Sequence, residues 1–100
     1  MMDESSRDRA HIARVTNSSA ADKRLILEPW GEEYKLPVGG VLDIMSEGPR
    51  DGFPEFDFAD EHITIYGWPG AVISIFLDGI ELGANPQKRT PVPPTPAPSR

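Results

Sequence analysis

Apolar residues in this chain recur at every second position, in short runs closed by proline, glycine or asparagine. That period belongs to an extended strand and not to a helix, whose apolar spacing is three to four. The stretch KRLILEPWGEEYKLPVGG, from Lys23 to Gly40, shows the habit most clearly. Leu25 and Leu27 fall on one face and Arg24, Ile26 and Glu28 on the other. Pro29 and Gly31 then stop the run before EEYKLP opens a second one.

The same reading carries along the chain. HIARVTN is the first strand, ended by Asn17, Ser18 and Ser19. VLDIMS follows the Gly39-Gly40 turn, with Leu42 and Ile44 as its core face. FPEFDFAD alternates Phe56 and Phe58 with Glu55 and Asp57, and HITIYG sets Ile63 and Ile65 against Thr64 and Tyr66. VISIFL is apolar at nearly every position, which reads as a strand covered on both sides. Asp78-Gly79 between IFL and IEL is the strongest local signal, since Asp-Gly supplies the positive backbone angles of a two-residue hairpin. Helix has little support, although SSAADKRL allows one short turn.

Seven to eight short strands between turn signals predict an all-β chain: a single small antiparallel β-sandwich, with a small barrel or jelly roll as the alternative. The 100 residues hold no cysteine to cross-link a small core, so there is room for one domain. Residues 1–10 mix charge and serine without apolar periodicity, and residues 85–100 are proline-rich with little to bury. Both read as disordered tails around a domain over 11–84. The second tail reads as a spacer whose removal leaves stability unchanged, although Lys88, Pro91 and Pro94 also fit a proline-helix ligand.

The EPWG corner followed by LPVGG resembles small uncharacterised bacterial all-β proteins, and its Pro-Gly turn habit is similar to immunoglobulin-like sandwiches. The resemblance spans about Arg14 to Leu82. It implies a sandwich and brings no activity, and Val38 stands where a second proline would stiffen the turn.

A net charge of −6 argues against holding phosphate backbones, so nucleic acid is not an expected partner. The acidity reads first as solubility. A membrane is not expected either, since no segment approaches the roughly 20 apolar residues of a span. Neither is a secretory signal, whose apolar stretch runs about 7 to 15 residues behind a basic start. The expectation is a cytoplasmic protein.

Catalysis lacks its usual parts. Thiol chemistry is excluded, only His11 and His62 are present, and no serine sits in a nucleophile elbow. The carboxylates Asp51, Glu55, Asp57, Asp60 and Glu61 are wrongly spaced for an EF-hand and read as a solvated face. No cofactor, metal or catalytic residue is therefore assigned. Trp30, Tyr34, Tyr66 and Trp68, in or beside turns, are the residues expected to contact a ligand or partner. The expected function is a non-catalytic interaction module binding a protein partner or itself through a sheet face or edge. A carbohydrate or small-ligand module built on the loop aromatics is the alternative, and a small enzyme a third choice.

Overall fold

The computed structural model describes residues 9–83 and 90–93; residues 1–8, 84–89 and 94–100, which include most of both predicted tails, lie outside it. Eight strands follow one another: β1 (Arg9–Thr16), β2 (Lys23–Glu28), β3 (Glu32–Leu36), β4 (Val41–Glu47), β5 (Glu55–Phe58), β6 (His62–Tyr66), β7 (Val72–Leu77) and β8 (Ile80–Glu81). They form two four-stranded sheets, ordered β1-β4-β7-β8 and β3-β2-β6-β5. Neither closes into a barrel, and no helix occurs among the described residues, so the SSAADKRL stretch is loop followed by β2.

Each sheet buries one face by simple alternation. Leu42 and Ile44 of β4 and Ile73 and Ile75 of β7 face Leu25, Leu27, Leu36, Ile63 and Ile65 of the other sheet, forming one core cluster. The turns are where glycine and asparagine predict them. Asp78 and Gly79 both take positive φ, 49° and 88°, which the β7–β8 hairpin demands and a β-branched residue would resist. VISIFL becomes β7, an interior strand between β4 and β8, with Ile73, Ser74 and Ile75 buried. Its apolar run therefore serves the core and is not an exposed contact strand.

One pairing departs from an all-antiparallel sandwich: β2 and β6 run parallel, Leu25 beside Ile63 and Leu27 beside Ile65. Between them the chain crosses to the other sheet as β4 and returns, and such a crossover delivers parallel neighbours. Alternation is the same in either direction, so the pattern of side chains carries no trace of it.

The second departure concerns the proline-rich end. Thr90–Pro93 lies against the domain: Gly70 N–H donates to the Val92 carbonyl (2.8 Å) and Val92 N–H to the Ala71 carbonyl (3.0 Å). Removing residues 85–100 would take these bonds with it.

Candidate functional site

The four predicted contact aromatics fall into different settings. Trp30, in the β2–β3 turn, packs on the core cluster and donates its indole N–H to the Thr90 carbonyl at 2.8 Å. Trp68, in the β6–β7 crossing, also packs on the core and donates its indole N–H to the Pro49 carbonyl at 2.8 Å. Its ring crowds Gly52, where a Cβ would stand 2.0 Å from Cδ1. Tyr34 sits on the inner face of β3 beside Leu25, its hydroxyl bonded to Glu32. Tyr66, at the end of β6 between Glu28 and Glu55, is exposed. The two tryptophans thus hold two different segments, one from the C-terminal stretch and one from the β4–β5 loop, and their polar handles are already engaged.

The phenylalanines, not among the expected contact residues, form a second aromatic group. Phe56 and Phe58 lie on one face of β5 with ring centroids 6.2 Å apart and planes within 13°. Phe56 packs on the core, whereas Phe58 is 62% exposed and Phe53, just before the strand, 76% exposed. The alternation of FPEFDFAD turns both ring-bearing positions inward. Only the strand's position decides how far each is covered: β5 is the last strand of its sheet.

Backbone pairing adds to this edge. Ala59 N–H donates to the His62 carbonyl at 2.9 Å, which sets the phase of the β5–β6 hairpin. Asp57 then exchanges bonds with Thr64, and the N–H and C=O of Phe56 and Phe58 turn away from β6. Among the described residues no strand takes them up. A depression of about 410 Å³ lies at the loop that leads into β5, lined by Ile12 and Ser46 of the other sheet and by Arg50, Phe53, Pro54 and Trp68.

A second depression, about 380 Å³, opens on the outer face of the other sheet over Met45 and Phe76. Its polar group is Asp43. Arg14 Nε donates to Asp43 Oδ1 at 2.7 Å and a second guanidinium nitrogen to Oδ2 at 3.3 Å, with His11 Nε2 3.0 Å from Oδ1. A bulge between His11 and Ala13 lets His11 and Arg14 of β1 reach one carboxylate of β4. The Arg14 hydrogen bond holds the Asp43 carboxyl below its usual range, against a smaller opposing effect of burial. A carboxylate so engaged is a weak base. No group of three His, Asp or Glu able to hold a metal occurs among the described residues.

The direction of that shift predicts an acid dependence. A carboxyl whose folded value is depressed contributes stability above its unfolded value, and loses it as pH falls through the folded one. Replacing Asp43 with asparagine should lower the melting temperature slightly at pH 7 and make no difference near pH 2. Arg14, shifted upward, titrates beyond that window. A gap between wild type and Asp43→Asn that widens on acidification would contradict the assignment.

Comparison with known protein families, with curated proteins and with solved structures finds no match. No helix among the described residues is long and apolar enough to cross a membrane.

Proposed function

We propose that this chain is a non-catalytic interaction module whose contact surface is the outer edge of β5. The observation that carries the reading is the pairing of two exposed phenylalanines, Phe53 and Phe58, with a strand edge that no described strand covers. An extended segment of a partner protein would add to β5 by main-chain bonds and set an apolar side chain into the depression beside Phe53. Glu55, Asp57, Asp60 and Glu61 surround the edge and are exposed. The partner segment is therefore basic. Two β5 edges from identical copies would bring these acids against one another, so self-pairing there is disfavoured.

Carbohydrate or small-ligand binding has less support, because both indole N–H groups are already bonded within the chain. The test is a synthetic peptide of alternating lysine and valine, titrated while backbone amides are followed by NMR. Shifts should concentrate at Phe56 and Phe58, weaken in 1 M salt, where the Debye length is about 3 Å, and vanish in Phe58→Lys. A peptide alternating glutamate and valine should not bind. Equal binding of the two peptides, or shifts away from β5, would sink the proposal.

A further inference from the structure

The C-terminal stretch occupies a groove of its own, formed by none of the β5 residues. Trp30, Gly67, Gly70 and Ala71 form its walls. The Thr90 carbonyl accepts the Trp30 indole proton. Two residues on, Val92 both donates to Ala71 and accepts from Gly70, a one-residue bridge to the start of β7. Val92 also points its side chain into the groove: a Cβ built on Gly67 would stand 2.9 Å from Val92 Cγ2 and 3.1 Å from Trp30 Cη2. Gly67 is thus the floor on which the tryptophan and the valine both rest.

The chemistry of the occupant follows from its sequence. Thr90, Pro91 and Pro93 are exposed and Val92 alone is half-buried. Pro91 and Pro93 lack an N–H, so Val92 supplies the one donor between them, and it is used. Their fixed backbone angle keeps the segment extended before it docks, which lowers the entropy lost on binding. An indole N–H on a carbonyl, with an apolar side chain sunk beside the ring, is how aromatic grooves hold proline-rich segments.

We infer that the Trp30–Gly67–Ala71 groove is a binding site for extended X-Pro-Val-Pro segments, which the chain's own Thr90–Pro93 fills. A partner protein carrying such a segment takes the same place. The tethered copy acts as a built-in competitor: it lowers the apparent affinity of an outside segment in proportion to the time the groove is filled.

The experiment uses the full chain and the synthetic peptide QKRTPVPP, which copies residues 87–94. Val92→Asp places a carboxylate where the valine docks and should release the tethered segment, moving the Trp30 indole N–H resonance. Added peptide should return that resonance toward its wild-type position in a saturable way, and bind wild type about tenfold more weakly. A peptide with aspartate at the valine position should do nothing. The unmodified chain gives a reading that no folding defect can spoil: the Val92 amide should exchange with solvent more slowly than in the free peptide, and the Trp30 indole proton more slowly than the indole proton of free tryptophan. Exchange at the free-peptide rate, or an indole resonance unmoved by Val92→Asp and by millimolar peptide, would overturn the inference. Phe58→Lys should leave every one of these readings unchanged, so the groove and the β5 edge stand or fall separately.

Discussion

Asn17→Asp is expected to destabilise the domain by about 3 kcal/mol or more at pH 7, a fall in melting temperature of roughly 15 °C for a chain of this size. Asn17 is 2% exposed at the end of β1. Its side-chain nitrogen donates to the carbonyls of Ala21 and Leu36, each at 3.0 Å, and its oxygen accepts from the Ser19 N–H and hydroxyl at 3.1 and 2.6 Å. Its backbone receives the Gly39 N–H and donates to the Gly40 carbonyl. The side-chain amide therefore ties the β1–β2 loop to the end of β3, and the backbone of the same residue ties in the turn into β4, a strand of the other sheet. Aspartate has the same shape but no donor, and sets a charge against two carbonyl oxygens.

That charge gives the prediction a second part. The buried carboxyl in the variant is most stable protonated, so its folded pKa lies above the unfolded value of about 3.9. A group raised in this way costs most at high pH, and the cost shrinks as pH falls. The gap from wild type should narrow clearly between pH 7 and pH 4. A variant within about 1 kcal/mol of wild type, below the usual cost of stranding a buried partner, would show that Asn17 is not the tie described here.

Leu27→Ala is expected to cost about 3 kcal/mol, within the range measured for fully buried leucines. Leu27 has no exposure and sits mid-sheet, flanked by Ile65 on β6 and Glu32 on β3, with the other sheet above it. Small domains have about 5–15 kcal/mol in all, so one such cavity removes a large share. Ile65→Val, deleting one methylene in the same layer, should cost about 1 kcal/mol, and Val38→Ala, at an exposed turn position, less than about 0.5. Midpoints of urea unfolding measure all three. Equal costs at Leu27 and Val38 would mean that the two faces are not packed as described.

Much of this architecture can be read from the residues, for a local reason. Alternation and turn chemistry act over two to four positions, so HIARVTN, VLDIMS and the Asp78-Gly79 hairpin reveal themselves without their neighbours. What depends on distant neighbours stays hidden. The parallel pairing of β2 and β6 follows from a crossover, and alternation has no direction. Phe58 alternates in register with Phe56 and yet is exposed, because coverage depends on the facing sheet. His11 and Asp43 stand 32 positions apart and meet through a bulge that no residue type announces. The docking of Thr90–Pro93 uses main-chain bonds, a tryptophan 60 positions away and one side chain, and a proline-rich run looks the same docked or free. Trp30 and Trp68 stand out as aromatics, but only their bonded N–H groups reveal that they hold the chain's own segments.

The measurement that bears most directly on the interaction reading is residue-resolved amide exchange along β5 in the free protein. Asp57, bonded to β6, should be protected, while Phe56 and Phe58, whose N–H groups face the open edge, should exchange at nearly unprotected rates. Protection at all three positions would mean that the edge is already covered in the free protein, and β5 would not be a surface waiting for a partner.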